Sequence, residues 1–247
     1  MTCDAERFER AFAPVGVFVT FEGGEGAGKS THIAILAAAL RASGRETVCV
    51  REPGGTAIGE QLRGVVLDPS NDEMAPLCEL FVYEAARAQL VREKVLPALE
   101  RGAAVLCDRF CDSTVAYQAY GRGIDERAVR LVNEVACQGL VPARTIVLEA
   151  PSAAAGLSRA ASAGDPDRLE RAGAAFHDRV NAAFRAIAQA DPDRVAVVSS
   201  RASIEDTAAA VYAAVAAVFP ELSLEALLRA ARDHAASAAR SKREERA

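Results

Sequence analysis

Five short apolar stretches recur along the chain and predict the strands of a sheet. The stretches are VGVFVTF (15–21), TVCV (47–50), AAVLC (103–107), RTIVLEA (144–150) and RVAVVS (194–199). The chain between successive stretches is long enough for a crossover helix. Near-continuous apolar character is typical of parallel strands that are covered on both faces. The pattern therefore predicts an α/β fold: a parallel five-stranded sheet flanked by helices on both faces, with every strand buried.

Apolar residues at helical spacing predict the helices between these strands. Ile33, Leu36, Ala37 and Leu40 share one helix face, and Gly44 is expected to end that helix. A long helix is predicted over 76–100. We expect a kink near Pro97, because proline lacks the N–H that an interior helical turn needs.

The end of the chain predicts a further helix. After Pro220, the residues Leu224, Leu227, Leu228 and Ala231 fall on one helix face, and the sequence then runs into ARSKREERA. This pattern favours a docked helix with a solvated charged end over a site for a specific partner.

These patterns divide the chain into one main domain with two appendages. We expect an N-terminal extension over 1–14, a single domain over 15–219, and a helical, charged tail over 220–247. Within the domain, the segment of about 151–173 is small, polar and glycine-containing, so it is either a mobile lid or a surface loop.

Composition and charge narrow the class of protein. The 247 residues carry a formal net charge of -5, which argues against a general nucleic-acid binder but not against a nucleotide site. The six cysteines form no C-x-x-C pair, and those inside apolar runs, Cys49 and Cys107, would act as small hydrophobes. The charged N-terminus does not resemble a secretory signal, and no apolar stretch is long enough to span a bilayer. A cytoplasmic protein with unpaired thiols is predicted.

A phosphate-binding loop follows the first predicted strand. The sequence GGEGAGKS matches G-x-x-x-x-G-K-[ST] and opens a helix, as that motif requires. Backbone N–H groups of such a loop turn inward around phosphates, and the helix adds its positive end. Lys29 would reach the β- and γ-phosphates, and the Ser30 hydroxyl would ligate Mg²⁺. The predicted ATP-binding residues are Gly23, Gly24, Glu25, Gly26, Ala27, Gly28, Lys29, Ser30 and Thr31.

One residue of this loop does not suit a triphosphate. The carboxylate of Glu25 would repel the phosphates, so we expect it to point across the loop toward a second substrate or a magnesium-bound water. That placement favours a kinase with an acceptor bound nearby.

Two further motifs lie where such an acceptor would bind. REPGGT (51–56) follows the second strand, and the sequence leaves open whether its Glu52–Pro53 bond is cis. CDRF (107–110) ends the third strand, where Asp108 is placed to bind Mg²⁺ and Arg109 to bind a phosphate. Taken alone, either motif is also common in ordinary turns and solvated loops.

Together these motifs resemble one family. The loop with its internal acid, REPGGTAIGEQLR, YEAARAQ, DRFCDSTVAYQAYGRGI and DRLE occur in the order and spacing of bacterial thymidylate kinases, over about residues 15 to 215. The resemblance implies a P-loop fold and transfer of the ATP γ-phosphate to dTMP, giving dTDP with the help of Mg²⁺. It also implies a homodimer.

The resemblance assigns roles to particular residues. Glu25 would face the acceptor sugar, Arg51 and Arg109 the dTMP phosphate, and Tyr83 would stack on thymine, with Arg87 bonding to the base edge. Tyr117 would crowd the 2′ position and exclude ribose. The implied dTMP-binding residues are Glu25, Arg51, Tyr83, Arg87, Arg109, Ser113, Thr114, Tyr117 and Gln118, with Ser30 and Asp108 as metal ligands.

The lid departs from the family pattern because it has few basic residues. Some members carry an arginine in the phosphate loop, and members without one usually place several in the lid. Here the lid reads GLSRAASAGDPDRLER. We expect Arg159 or Arg168 to supply the cation that neutralises the transferred phosphate, which makes Lys29, Glu25, Arg109, Arg159 and Arg168 the predicted catalytic residues. Asp167 and Glu170 match an acidic lid pair, although a solvated loop explains them equally well.

Two alternatives remain open at this stage. The same scaffold would serve a kinase of another deoxynucleoside monophosphate, or a P-loop binding protein that has lost transfer activity. A GTPase is disfavoured because the sequence has no N-K-x-D guanine-reading element.

Overall fold

The computed structural model describes residues 15–161, 167–200 and 203–244. The predicted extension over 1–14, with Cys3, and residues 162–166 of the predicted lid lie outside the described residues. The strands are β1 Val17–Glu22, β2 Thr47–Arg51, β3 Ala104–Asp108, β4 Arg144–Glu149 and β5 Val195–Ser199. The helices are α1 Lys29–Ala42, α2 Ala57–Leu67, α3 Pro76–Leu90, α4 Leu96–Glu100, α5 Cys111–Thr114, α6 Glu126–Cys137, α7 Ala153–Ala161, α8 Ala174–Ala190, α9 Ile204–Val215 and α10 Leu224–Glu244.

The five strands form one parallel sheet in the order β2-β3-β1-β4-β5, which confirms the predicted fold class. The central strands β1, β3 and β4 are almost fully buried. The prediction that all five strands are buried was wrong for β2 and β5, in which most residues are partly or fully exposed. Both are edge strands with a neighbour on one side only. Cys49 on β2 is accordingly exposed, whereas Cys107 on β3 is buried.

The predicted helices are present with small differences. The apolar face of α1 is buried as expected, and Gly44 follows the helix with a φ of 83°. The stretch over 76–100 is helical throughout, but a π-helical turn at Val91–Val95 joins α3 to α4, whose second residue is Pro97. A second π-helical segment, Val115–Gly121, continues α5.

The C-terminal helix packs on the core. Leu227 and Ala231 of α10 are completely buried, in one cluster with residues of α1 and α9. Leu224, predicted on the same face, is 40% exposed because it begins the helix. Among the described helices, none is sufficiently long and apolar to cross a membrane.

The topology brings the chemistry-bearing loops together. In a parallel sheet the carboxyl ends of the strands share one edge, and ligands bind where the order reverses, here around β1. The loops after β1, β2 and β3 therefore meet, and Phe21 and Arg51 both lie beside Asp108 in the strand register.

Candidate active site

The loop after β1 is held in a conformation that requires glycine. Gly23 and Gly26 have φ values of 123° and 58°. A Cβ atom would lie 2.2 Å from the Leu148 carbonyl oxygen at Gly23, and 2.1 Å from the Gly156 carbonyl oxygen at Gly26. The second contact shows that α7 packs directly on the loop. The loop backbone therefore lies between β4 and α7, with the first turn of α1 at its end.

Lys29 folds back over this loop. Its ammonium group donates to the carbonyls of Gly23 (3.2 Å) and Gly24 (2.9 Å), and the residue is 7% exposed. Burial, together with the nearby charge of Arg109, lowers the pKa of Lys29 to about 8. The side chain is thus a pre-positioned cation at the mouth of an anion-binding loop.

Ser30 and Asp108 meet at the edge of the sheet. The Ser30 hydroxyl donates to Asp108 Oδ2 at 3.1 Å. A hydroxyl and a carboxylate are the oxygen donors that Mg²⁺ prefers, and such sites usually take their remaining ligands from water and substrate phosphates. The two residues therefore fit a magnesium ion. The neighbouring predicted ATP residue, Thr31, is half-buried in the first turn of α1.

Glu25 points from the loop into the neighbouring cavity. Its Oε1 accepts hydrogen bonds from Arg109 Nη2 (2.7 Å) and from the Tyr117 hydroxyl (2.8 Å). Burial alone would raise the pKa of Glu25, but Arg109, Lys29 and the Tyr117 hydrogen bond together lower it to about 2. Glu25 is therefore an ionised carboxylate that is fixed toward the neighbouring cavity.

That cavity, of about 180 Å³, contains most of the residues that the resemblance assigns to dTMP. Its lining includes Glu25, Tyr83, Arg87, Arg109, Ser113, Thr114, Tyr117 and Gln118. The side chains come from the phosphate loop, α3, the turn between β3 and α5, α5 itself and the π-helical segment after α5. Two tyrosine rings, hydroxyls, an amide, a carboxylate and two guanidinium groups thus converge on one space.

Arg87 is more strongly engaged by protein groups than the sequence suggests. It is 1% exposed, and its Nε and Nη2 donate to Glu52 Oε2 at 2.8 and 2.6 Å, while Nη1 donates to Glu84 and Asn133. Its guanidinium lies 5.1 Å from the centre of the Phe110 ring. A hydrogen bond from Arg87 to a base would have to be made alongside these contacts. The Glu52–Pro53 bond next to this network is cis.

Two arginines, Arg51 at the end of β2 and Arg63 within α2, lie near the cavity, and the one that lines it was not singled out from the motif. Arg51 is exposed, pairs with Glu60 at 3.0 Å and lines an adjoining groove with Ser30 and Asp108. Arg63 lines the cavity itself, with its Nη1 donating to the Pro53 carbonyl at 3.0 Å. Both belong to the stretch REPGGTAIGEQLR, so spacing alone did not separate them.

The two lid arginines occupy different surroundings. Arg159 is exposed on α7. Its Cβ lies 3.1 Å from the position that a Cβ at Gly26 would take, so the base of its side chain is next to the phosphate loop. Arg168 is 7% exposed, donates to the Val66 carbonyl and lies 2.6 Å from Glu79, which Arg122 also contacts. Arg168 therefore ties the base of the lid to α2 and α3.

The acidic residues of this region differ in how far the sequence revealed them. Asp167 and Glu170, which match an acidic lid pair, line the cavity and so do not belong to a remote solvated loop. Glu22, the last residue of β1, is completely buried beneath the site, and Glu79 is completely buried at the base of the lid. An isolated glutamate in a strand or helix gives no indication from sequence alone that it contacts a functional loop.

The fold and the site define a class of protein. A phosphate-binding loop with its lysine, a magnesium-compatible pair and an adjacent acceptor cavity characterise a P-loop kinase of small phosphorylated substrates. Comparison with known proteins narrows this class. The sequence model of the family described as Thymidylate kinase matches residues 21–211. The chain belongs to the thymidylate kinase family.

Individual relatives agree with this assignment. The chain is 48% identical over 200 residues to a thymidylate kinase of Deinococcus radiodurans, and the matched region covers 81% of this chain and 96% of the relative. It is 43% identical to one of Trichlorobacter lovleyi, with the same coverage. Among solved structures, the thymidylate kinase of Ehrlichia chaffeensis superimposes with a TM-score of 0.60 at 30% identity, over 74% of this chain and 90% of that one.

Proposed function

We propose that the phosphate loop binds ATP with Mg²⁺, that the adjoining cavity binds dTMP, and that the γ-phosphate passes between them in line. The reaction, conversion of dTMP to dTDP with ATP, follows from membership of the thymidylate kinase family. The observation that carries the residue assignment is the orientation of Glu25, whose carboxylate joins the phosphate loop to the cavity through Arg109 and Tyr117.

In this proposal the cavity residues have separate tasks. Tyr83 stacks on the thymine ring, while Thr114, Gln118 and Arg87 surround the base edge, an arrangement supported by their common cavity. Tyr117 is held by Glu25 beside the sugar, where its ring would exclude a 2′-hydroxyl. Ser113 supports Arg109, whose Nη1 lies 3.3 Å from its hydroxyl.

The charges of the reacting phosphates need several cations. Arg109 would bind the dTMP phosphate, and Arg63 is a better placed second ligand than Arg51, which faces the groove beside the metal-binding pair. Mg²⁺, held by Ser30 and Asp108, would neutralise charge on the donor phosphates. Positioning and charge neutralisation are the principal means by which proteins accelerate phosphoryl transfer.

The acceptor assignment is tested by a coupled assay of ADP release with ATP, Mg²⁺ and six monophosphates: dTMP, dUMP, UMP, dCMP, dGMP and AMP. Turnover of dTMP is expected to exceed that of dCMP and of UMP by a hundredfold or more (about 3 kcal/mol), because wrong groups would leave buried polar atoms unpaired. Preference for another monophosphate would refute the base assignment. ATP binding without transfer to any acceptor would point instead to a binding protein.

The lid cation is tested by removing each arginine separately. Arg159→Ala is expected to lower kcat by about a thousandfold or more, because Arg159 begins beside the phosphate loop and is the more accessible of the two. Arg168→Ala is expected to act mainly on stability, because it breaks a buried ion pair with Glu79. Steady-state kinetics and thermal unfolding of both variants separate these effects. Unchanged kcat in both would contradict the lid assignment.

A homodimer is the assembly that we propose. Leu77 and Phe81 on α3 and Leu131 and Val135 on α6 are each more than half exposed, and these two helices pack against each other. Such an apolar face suits an isologous contact with a second copy of the chain. Phe81→Glu is expected to convert a dimer to a monomer in sedimentation velocity, and a wild-type monomer would contradict the proposal. We also propose a cytoplasmic location, which cell fractionation tests.

A further inference from the structure

Arg109, the central cation of the acceptor site, has an unusual backbone. Its φ of 68° lies in the left-handed region, which residues other than glycine rarely adopt. Its N–H donates to the Phe21 carbonyl at 2.9 Å, and its own carbonyl accepts from the Cys107 thiol. A conformation of this kind persists only where surrounding contacts hold it.

Glu22 provides two such contacts from beneath the site. It is the last residue of β1 and is completely buried. Its Oε1 accepts the N–H of Phe110, the residue after Arg109, at 2.8 Å. Its Oε2 is hydrogen-bonded to the Ser113 hydroxyl, to which Arg109 Nη1 donates at 3.3 Å. One carboxyl group therefore holds both the backbone that follows Arg109 and a partner of its side chain.

The cost of burying an acid at this position indicates that its hydrogen bonds matter. A buried carboxyl group is unfavourable unless both oxygens have partners, and Glu22 satisfies both within the loop that carries Arg109. Burial and the nearby Asp112 raise the pKa of Glu22 to about 8, against the opposing effects of Ser113, Arg109 and the Phe110 N–H. Both protonation states can make the two bonds, because a protonated oxygen can donate to Ser113.

We propose that Glu22 is a positioning residue for phosphoryl transfer: it holds Arg109 in the orientation that binds the acceptor phosphate. Glu22 is not among the residues that line the cavity, so it acts through Phe110 and Ser113 and not on the substrate. The inference rests on the proposed role of Arg109 as the ligand of the dTMP phosphate.

The test compares Glu22→Leu, Glu22→Gln and Glu22→Asp with the wild type in steady-state kinetics for both substrates. Glu22→Leu is expected to raise the KM for dTMP by about tenfold or more, with the KM for ATP within about twofold, because only the Arg109 segment loses partners. Glu22→Gln is expected to stay within about threefold, because an amide can accept from Phe110 and donate to Ser113. Glu46→Leu, which removes an exposed carboxylate paired with Arg101, is the matched control.

Each outcome bears on the proposal. The proposal would be overturned if Glu22→Gln and Glu22→Leu raised the KM for dTMP equally. It would also be overturned if activity with both substrates fell only in proportion to the fraction of unfolded protein. If the Leu variant does not fold, Glu22→Asp decides, because its shorter side chain cannot reach both partners and should raise the dTMP KM alone. Arg109→Ala is measured in parallel. If the kinetics with dTMP are unchanged in that variant, the role of Arg109 is refuted, and with it the role of Glu22. If Arg109→Ala has an effect but the Glu22 variants have none, only the role of Glu22 is refuted.

Discussion

Replacing Lys29 with methionine is expected to lower kcat for dTDP formation by about a thousandfold, the largest effect of any single lid or loop substitution outside Arg159. The ammonium group is already held at the phosphate loop by the carbonyls of Gly23 and Gly24. Phosphate oxygens would replace these carbonyls as its acceptors, so the cation needs little reorganisation to stabilise the charge that develops in the transition state. Methionine preserves the buried stem and removes the ammonium group, with its charge and its two hydrogen bonds.

Two measurements make this result interpretable. Thermal unfolding shows whether loss of the two carbonyl contacts weakens the fold. A hydrogen bond between a charged and a neutral group contributes about 1.5–3 kcal/mol to the free energy of unfolding. Arg92→Met, at an exposed arginine on the π-helical turn after α3, is the control for loss of a cation away from the site and should leave kcat near the wild-type value. A Lys29→Met enzyme that is folded and retains more than a tenth of wild-type kcat would contradict the assignment.

The accuracy of the sequence predictions depended on how local the structural cause was. The phosphate loop, α1 and the strands could be predicted, because glycine positions, helical spacing and apolar runs act within a few residues. The partial exposure of β2 could not be predicted, because it follows from the position of β2 at the edge of the sheet. That position depends on the order of the strands, which a local sequence pattern does not determine. Cys49 illustrates this: an apolar run placed it inside, and the edge of the sheet leaves it exposed.

Side-chain pairs between residues far apart in sequence were the second feature that the sequence could not predict. The choice between Arg51 and Arg63 depends on Glu60, which pairs with Arg51 and leaves Arg63 facing the cavity. Arg168 likewise pairs with Glu79, almost ninety residues earlier in the chain. Its position in the lid sequence therefore did not show that its guanidinium group is buried away from the phosphate loop. The direction of Glu25, across the loop and into the cavity, could be predicted because repulsion between a carboxylate and bound phosphates is strong at short range.

Arg109→Ala is expected to raise the KM for dTMP and lower kcat, with kcat/KM falling by about a hundredfold to a thousandfold. The guanidinium contacts Glu25, the Gly23 carbonyl and Ser113, and lies 5.1 Å from the centre of the Tyr117 ring. Its loss would remove the proposed ligand of the dTMP phosphate and would leave the Glu25 carboxylate without its main counter-charge. Arg109→Lys should rescue little, because a single ammonium cannot form the same fork of bonds.

The pH dependence separates these two consequences. The pKa of Glu25 is depressed from 4.5 to about 2, so its ionised form stabilises the fold above the unfolded value, and this contribution is lost as the pH falls through about 2. Without Arg109 the pKa of Glu25 should rise, because burial then acts with less opposition. The acid limb of the activity profile is accordingly expected to shift to higher pH.

A double-mutant cycle gives the decisive comparison. If Arg109 and Glu25 act as one unit, Arg109→Ala combined with Glu25→Gln should lose less than the sum of the single effects, because the second change removes the unpaired charge that the first creates. Arg130→Ala, at an exposed arginine paired with Glu126 on α6, is the control for general loss of charge. Strict additivity, together with an acid limb that does not move, would show that the Arg109–Glu25 pair does not operate during transfer. Glu25 would then need another partner to orient it toward the acceptor.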